Sequence, residues 1–361
     1  MITISLCMIV KNEEETLERC LSSAKSVADE IVIVDTGSED RTREVAARFT
    51  DKIFEFVWIN DFSAARNFSY EQATMDYILW LDADDILLPE DAVKLKTLKE
   101  TMPPDIDAVM MPYNTGFDSQ GRVTFSCFRE RLSKRSGNFQ WKEPVHEFLD
   151  VGAKRINADI CVTHAKPHDR MSERNIRIYD NLIAEGKELS PRGMYYYARE
   201  LKGHQRYADA IDWFSLFLDS GKGWAEDNIT ACGELAYCYL AENQHNKALL
   251  AMLRSFSYDT PRAEACCQIG SFFIDQGKYS QATFWFELVL KLKKDNDNWG
   301  FYQKDYWGYF PCIELAVCYD KLGEYEKAAL FNEMAAQYKP DSFEVLHNKK
   351  YFENRLMNHC K

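Results

Sequence analysis

Two aspartates stand one residue apart directly after an apolar run. Asp82 and Asp84 follow residues 77–81, and Ala83 separates them. Because successive side chains of an extended chain point to opposite faces, both carboxylates are expected on one side. Magnesium and manganese prefer carboxylate oxygens and keep open positions for phosphate. The spacing predicts a divalent-cation site at Asp82 and Asp84, while a solvated loop or a helix cap before Pro89 fits the same pattern.

A sheet is needed to hold these acids. Apolar runs occur at residues 2–10, 31–34, 53–57 and 77–81, and the segments between them place apolar residues at steps of three and four. This alternation predicts a βαβαβαβ arrangement whose strands are apolar throughout, because helices cover both faces of the sheet. Ligands of such sheets bind beyond the carboxyl ends of the strands. Polar and acidic residues follow three of the predicted strands at those ends.

The pattern changes twice further along the chain. From about residue 105, strand-like segments occur near 107–113, 122–130 and 154–163. After residue 170 we expect only helices. A chain of 361 residues exceeds the usual size of one hydrophobic core. We therefore predict an α/β domain over residues 1–170 and an all-α domain over residues 171–361.

The second half also repeats. Four times a small residue is followed twelve positions later by alanine, and an aromatic residue or histidine precedes each second alanine by three positions. The pattern resembles tetratricopeptide repeats, whose period is about 34 residues, over roughly residues 190–340. Residues 341–361 are expected to form a capping helix. The small-residue pairs are Ala198 and Ala210, Ala236 and Ala248, Gly270 and Ala282, and Ala316 and Ala328, and the preceding residues are Tyr207, His245, Tyr279 and Tyr325.

An aromatic-rich insertion precedes the last repeat. It is expected to form either an extra packed helix or a surface for a partner or for self-association, which makes a homodimer through the repeats one possibility. Its aromatic residues are Trp299, Phe301, Tyr302, Tyr306, Trp307, Tyr309 and Phe310.

Composition disfavours several classes of protein. The formal charge of −13 repels phosphate backbones, so a nucleic-acid partner is not expected. The first apolar run is too short to span a bilayer, and no other run approaches about 18 apolar residues, so no integral membrane segment is expected. The eleven cysteines form no CxxC pair and mostly have apolar neighbours. We therefore expect reduced thiols and a cytoplasmic protein.

Four ordered segments carry a family resemblance. They are residues 7–14, 32–42, 61–67 and 81–85, and together they resemble family 2 glycosyltransferases of the GT-A fold. The resemblance implies a Rossmann-like domain that binds a nucleotide-sugar, most often a UDP-sugar, together with Mn or Mg. It also implies inversion at the anomeric carbon, with glucose or an N-acetylhexosamine as the sugar.

The resemblance assigns roles to individual residues. Asp35 is expected to accept a hydrogen bond from the nucleotide base, although an N-cap or turn acid fits the same position. Arg66 is expected to reach the nucleotide and offset diphosphate charge, with a surface helix position as the alternative. Asp84 is expected to bind the metal. The residues expected to contact the nucleotide-sugar are Val10, Asn12, Glu13, Asp35, Arg66, Asp82 and Ala83.

A second cluster supplies candidates for acid–base chemistry. The Val-His-Glu sequence at residues 145–147 and the later His164 resemble bacterial family 2 enzymes fused to tetratricopeptide repeats, including peptide S-glycosyltransferases of glycosylated bacteriocins. By this resemblance Glu147 is the expected general base, Glu143 is the reserve candidate, and His164 completes the metal shell unless it is a buried core histidine. The neighbouring basic residues at 129–135 are expected to form a solvated face, with diphosphate contact as a lesser alternative.

The expected activity is therefore transfer of a hexose or N-acetylhexosamine to an acceptor, with a peptide or protein side chain (Cys, Ser or Thr) favoured by the fused repeats. A cell-wall or polysaccharide glycosyltransferase is an alternative. A scaffold with an inactive nucleotide-binding domain, and a nucleotidyltransferase that makes nucleotide-sugars, are the rivals from other classes.

Overall fold

The computed structural model describes residues 1–152, 154–165, 173–293 and 302–359. The chain divides into two compact units, Met1–Glu188 and Leu189–Lys361. The domain boundary expected after residue 170 lies outside the described residues. Helix α5 (Arg174–Ala184) is grouped with the first unit.

The first unit alternates strands and helices as predicted. Each of the four early apolar runs contains a strand, and the predicted strand at 154–163 is divided in two. Helices α1 (Leu17–Ala24), α2 (Thr42–Ala46), α3 (Phe62–Glu71) and α4 (Pro89–Thr101) connect the early strands or follow them. The strands are β1 (Ile4–Val10), β2 (Glu30–Asp35), β3 (Ile53–Glu55), β4 (Tyr77–Trp80), β5 (Asp85–Leu87), β6 (Ala108–Phe117), β7 (Val123–Lys134), β8 (Trp141–Lys142), β9 (Phe148–Leu149), β10 (Arg155–Asn157) and β11 (Val162–His164).

Nine of these strands form a mixed sheet in the order β3-β2-β1-β4-β7-β6-β11-β5, with β10 also paired to β6, and β8 and β9 pair separately. Strands β1 to β4 are parallel to their neighbours within this group, and β7 runs antiparallel to both β4 and β6. Every residue of β2 and β4 is buried, as expected for a sheet covered on both faces. The carboxyl ends of β1, β2 and β4 therefore meet at one edge.

A buried carboxylate joins the early strands at the opposite edge. Glu30, at the start of β2, accepts hydrogen bonds from the Ser5 hydroxyl, the Lys52 ammonium, and the backbone N–H and hydroxyl of Thr74. Burial alone would raise the pKa of Glu30, but these donors, led by Lys52, lower it to about 2. Because the donors come from three other segments, Glu30 holds β1, β2 and the segment before β4 together.

Replacing Glu30 by glutamine is expected to cost roughly 2 kcal/mol of unfolding free energy at pH 7. A depressed carboxyl pKa contributes stability above the ordinary pKa of 4.5, and that contribution is lost as the pH falls towards about 2. The difference between wild type and Glu30→Gln should therefore shrink below pH 4.5. Hydrogen exchange of β1 and β2 amides would measure this difference in unfolding free energy, with the substitution of the exposed Glu100 by glutamine as the control. A difference that stayed constant down to pH 3 would contradict this account.

The second unit consists of paired helices followed by a single helix. The four predicted repeats correspond to four consecutive helix pairs, and the last helix, α14, lies within the segment predicted to form a capping helix. A two-residue strand, Tyr302–Gln303, is an exception to the all-helical expectation. The helices are α6 (Pro191–Gly203), α7 (Tyr207–Ser220), α8 (Ala225–Ala241), α9 (His245–Arg254), α10 (Ala263–Asp275), α11 (Tyr279–Val289), α12 (Tyr309–Lys321), α13 (Tyr325–Ala336) and α14 (Phe343–His359).

The repeat pattern has a geometric basis within each pair. The repeated aromatic residue or histidine is the first residue of the second helix in all four pairs. Seven positions after the first small residue, each turn contains a residue with positive φ, namely Gln205, Asn243, Gly277 and Gly323. Each left-handed residue lets the chain reverse direction between the two helices of a pair. The small residue of each helix is then buried against the other helix. The paired alanines are all fully buried.

The described part of the aromatic insertion is packed. Tyr306, Trp307 and Phe310 lie against the buried core that α10, α11 and α12 share. The Trp307 indole N–H donates a 3.0 Å hydrogen bond to the Glu264 carboxylate, and the Tyr309 hydroxyl donates to the Ser342 hydroxyl at 3.0 Å. These residues are therefore packed within the protein, as one of the two alternatives expected, whereas Trp299 and Phe301 lie outside the described residues. Among the helices of the described chain, none has both the length and the apolar character to cross a membrane.

Gly270 is the tightest point of the third pair. A Cβ added there would lie 2.6 Å from the ring of the fully buried Phe286. Glycine to alanine normally stabilises a helix by about 1 kcal/mol, but overpacking a core costs about 1–3 kcal/mol. We expect Gly270→Ala to destabilise the second unit, as measured by amide exchange in α10 and α11. Ser271→Ala on the same helix is the control, and a stabilised Gly270→Ala variant would refute the close packing.

Candidate functional site

A cavity of about 380 Å³ opens at the carboxyl ends of β1 and β4. It is lined mostly by polar side chains from several segments that are distant in sequence. Among the residues expected to carry function, the cavity is lined by Val10, Glu13, Arg66, Asp82, Ala83, Asp84, Glu147 and His164.

Three of the expected residues are not among those that line this cavity. Asp35 is almost fully buried, and its carboxylate accepts hydrogen bonds from the Ser38 backbone N–H at 3.2 and 3.3 Å, which is the turn-acid arrangement. Asn12 has a positive φ, and its side-chain oxygen accepts from the Glu39 N–H. Glu143 lies in the loop before Glu147, also with a positive φ. Their proposed contacts with substrate remain predictions.

Asp84, Asp85 and His164 form a candidate metal centre. Their ligand atoms all lie within 4.8 Å of one another. His164 Nδ1 is 3.4 Å from an oxygen of Asp84 and 3.6 Å from Oδ1 of Asp85, and Asp85 Oδ1 is buried without a hydrogen-bond partner among the described residues. Carboxylate oxygens suit Mn or Mg, imidazole is a common metal ligand in proteins, and a buried carboxylate oxygen without a partner is stabilised by a cation. These residues therefore fit a divalent ion.

Strand pairing brings the histidine to the aspartates. Strand β11 runs antiparallel to β5, and His164 is directly opposite Asp85 in that ladder. The Tyr113 hydroxyl lies 2.9 Å from Nδ1 of His164. The nearby carboxylates, Asp84 first and then Asp85, raise the pKa of His164 to about 9, so either a proton or a metal ion can offset the charge of the two carboxylates.

The acids at the end of β4 are matched by buried arginines. Arg131 and Asp85 are both fully buried, and Nη1 of Arg131 donates to Oδ2 of Asp85 at 2.9 Å. The same carboxylate oxygen accepts the Asp82 backbone N–H at 3.0 Å, so Asp85 shapes the turn that presents Asp82 and Asp84. The Arg131 guanidinium also lies 3.8 Å from the centre of the Trp80 ring.

Asp82 pairs with a different arginine. Arg66 Nη2 donates to Oδ1 of Asp82 at 2.8 Å, and Arg66 Nε donates to Oε1 of Glu147 at 2.6 Å. Burial raises the pKa of Asp82, but the charges of Arg66 and Arg131 outweigh it and lower the pKa to about 2. Burial lowers the pKa of Arg66, but the charges of Asp82 and Glu147 outweigh this effect and raise it. Burial also raises the pKa of Glu13, and Asp84 and Asp82 add to that increase.

Local structure fixes the position of Arg66 on α3. The Asp61 side chain accepts the Ala64 N–H at 3.0 Å and thereby caps the helix. The Phe62 N–H donates to the Pro144 carbonyl at 2.9 Å, and the Asn67 side chain exchanges two hydrogen bonds with the Trp141 backbone. The segment 61–67 is therefore tied to the loop that carries Glu147.

Several site residues were not anticipated from sequence. The expectation of a solvated face was wrong for Arg129 and Arg131, because Arg129 lines the cavity and Arg131 is fully buried. Period-two spacing of these arginines on a strand is the signal that would have placed them on one face. Trp58 and Phe62 also line the cavity and contact each other edge-on. No spacing rule connects Trp58 with the other residues of the site.

This architecture, a mixed α/β sheet with a polar cavity at its carboxyl edge followed by helical repeats, defines a two-domain class of protein. Residues 5–171 match the family model for glycosyl transferase family 2, and residues 263–296 match a tetratricopeptide repeat. Residues 5–171 are thus a family 2 glycosyltransferase domain, and the helix pairs that follow include a tetratricopeptide repeat.

Several individual proteins are similar to parts of this chain. A TPR repeat-containing protein of Synechococcus elongatus is 38% identical over 150 residues, which is 42% of this chain and 36% of that protein. The SPbeta prophage-derived glycosyltransferase SunS of Bacillus subtilis is 25% identical over 259 residues, which is 68% of this chain and 60% of SunS. The chain therefore spans less than two thirds of the length of both relatives. A solved TPR protein, YrrB, is 21% identical to this chain with a TM-score of 0.38, and the match covers 49% of this chain and 83% of the YrrB chain.

The Arg131–Asp85 pair provides a test of the site's construction. Removing one partner of a buried pair typically costs about 3–5 kcal/mol, since the other charge is left uncompensated. We expect Arg131→Met to lower protection of β4 and β7 amides by that free energy. Adding Asp85→Asn should recover part of the loss, because it removes the uncompensated charge. A double variant less stable than Arg131→Met alone would argue against the pairing.

Proposed function

We propose that the first unit is an inverting, metal-dependent transferase that moves a hexose or N-acetylhexosamine from a UDP-sugar to an acceptor. The observation that carries the proposal is the cluster of Asp84, Asp85 and His164 beside a cavity that Asp82 also lines. The cavity is large enough for part of a nucleotide, and most of its lining residues lie in the segment that matches family 2. The relative SunS is itself described as a glycosyltransferase.

Asp84 and His164 are the proposed metal ligands, with Asp85 as a third candidate. A bound Mn or Mg ion would neutralise charge that develops on the departing diphosphate. The remaining donor contacts are proposed for Val10, Asn12, Glu13, Asp35, Arg66, Asp82 and Ala83. Lys11 and Arg129 also line the cavity and add positive charge suited to phosphate.

Glu147 is the proposed general base, and Glu143 remains the reserve candidate. The acceptor oxygen or sulfur attacks the anomeric carbon, the bond to the UDP oxygen breaks, and that oxygen keeps the electron pair. The acceptor proton passes to the carboxylate. Glu147 is favoured because it lines the cavity.

A peptide or protein side chain, Cys, Ser or Thr, is the proposed acceptor. Helical repeats present long surfaces suited to polypeptides, and the solved repeat protein YrrB is described as having a peptide-binding site. A homodimer through the repeats and a cytoplasmic location belong to the same proposal. Mostly buried free thiols, such as Cys7 and Cys20, fit a reducing compartment.

Calorimetric titration with UDP, with and without manganese, combined with a UDP-sugar turnover assay, tests the proposal. Wild-type protein should bind UDP more tightly with manganese and release UDP from the donor. We expect Asp84→Ala to lose the manganese effect and to reduce turnover by more than about 100-fold, because the cation contributes several kcal/mol to the transition state.

Asp159→Ala, which removes an exposed carboxylate outside the cavity, is the matched control. UDP binding without any turnover would favour the scaffold alternative, and turnover that requires pyrophosphate would favour a nucleotidyltransferase. Full activity of Asp84→Ala would dispose of the metal assignment.

A further inference from the structure

Arg66 is enclosed between two tryptophans. Its guanidinium carbon lies 4.8 Å from the centre of the Trp80 ring and 4.9 Å from the centre of the Trp141 ring. The two indoles meet edge-on at 5.0 Å, and only 8% of the Arg66 side chain is exposed. A planar cation is attracted to aromatic faces, and this attraction strengthens as water is removed. The tryptophans therefore fix the position of the guanidinium.

The guanidinium edge is occupied by two carboxylates from different segments. The hydrogen bonds of 2.6 Å to Glu147 and 2.8 Å to Asp82 are at the short end of the range for charge-assisted bonds. Asp82 follows β4, whereas Glu147 lies in the loop between β8 and β9. Arg66 is thus a bridge between the acidic turn of the proposed metal centre and the proposed base.

We propose that Arg66 is a positioning residue, which fixes the Glu147 carboxylate relative to Asp82, and that this role replaces the donor contact that the family resemblance assigned to Arg66. This inference rests on the proposed function. Two donors of the Arg66 fork are used by these carboxylates, and turning the guanidinium towards a phosphate would leave the Glu147 carboxylate, whose side chain is only 11% exposed, unpaired at a cost. With Oε1 of Glu147 held by Arg66, Oε2 is the oxygen that receives the acceptor proton.

Lysine cannot reproduce this arrangement. An ammonium group is a compact charge without the planar fork that donates to two carboxylates while stacking on an aromatic face. Arg66→Lys therefore preserves the charge and loses the geometry, so it separates electrostatic attraction for the diphosphate from placement of Glu147.

The test compares donor binding with turnover in Arg66→Lys. We expect kcat to fall about 100-fold, since small misplacements of a catalytic group cost that much. The Kd for UDP with manganese and the KM for the donor should change by less than about 3-fold. Arg48→Lys, an exposed arginine paired with Glu18, is the matched control. A Kd raised more than about 10-fold with kcat preserved would overturn the proposal.

A double-variant cycle tests whether Arg66 acts through Glu147. If it does, Arg66→Lys combined with Glu147→Gln should be no slower than Glu147→Gln alone. Losses that multiply would show an independent role for Arg66 and overturn the proposal. If Arg66→Lys does not fold, as judged by amide exchange of β4, Trp141→Phe weakens the same stack. It should reduce kcat with unchanged Kd, and an unchanged kcat would overturn the proposal.

The wild type separates the two levels of inference. If wild-type protein turns over no UDP-sugar, the proposed function fails. If the wild type is active and Arg66→Lys retains its kcat, the proposed function stands and only the positioning role is lost.

Discussion

The pairing of buried charges at the carboxyl end of β4 is the constraint on which the first unit depends. Asp85 and Arg131 are fully enclosed, and Arg66 is nearly so beside Asp82. An unpaired charge in such surroundings costs several kcal/mol, so neither acid nor arginine can be placed independently of its partner. The sheet, the helix α3 and the loop before β9 must therefore come together for the acids to be tolerated.

Trp80 links this network to the rest of the fold. It is the last residue of β4, three guanidinium groups lie within about 5 Å of its ring, and its indole N–H donates to the Glu130 carbonyl. The turn that carries the proposed metal ligand Asp84 begins two residues later. The apolar support of the sheet and the charged surface of the cavity are thus parts of one structure, whereas the helical repeats of the second unit rely on small residues and left-handed turns.

Short-range pattern was sufficient for most elements. The apolar runs marked β1 to β4 because parallel strands are buried on both faces, and the alanine spacing marked the four helix pairs because close approach requires small residues. The sequence alone also predicted a site at Asp82 and Asp84, and both residues line the cavity. Asp35 illustrates the limit, because its position at the end of the second strand was predicted, whereas its hydrogen bonds with the Ser38 N–H place it in a turn.

By itself, the sequence determined which segments become strands and helices and where acids follow a strand, since both depend on residues close along the chain. Tertiary structure alone decided that His164 lies opposite Asp85, that Arg131 is buried, and that Arg66 joins Asp82 to Glu147. These contacts join residues far apart in sequence, and each depends on strand order and on the desolvation of charge. Neither property has a periodic signature along the chain.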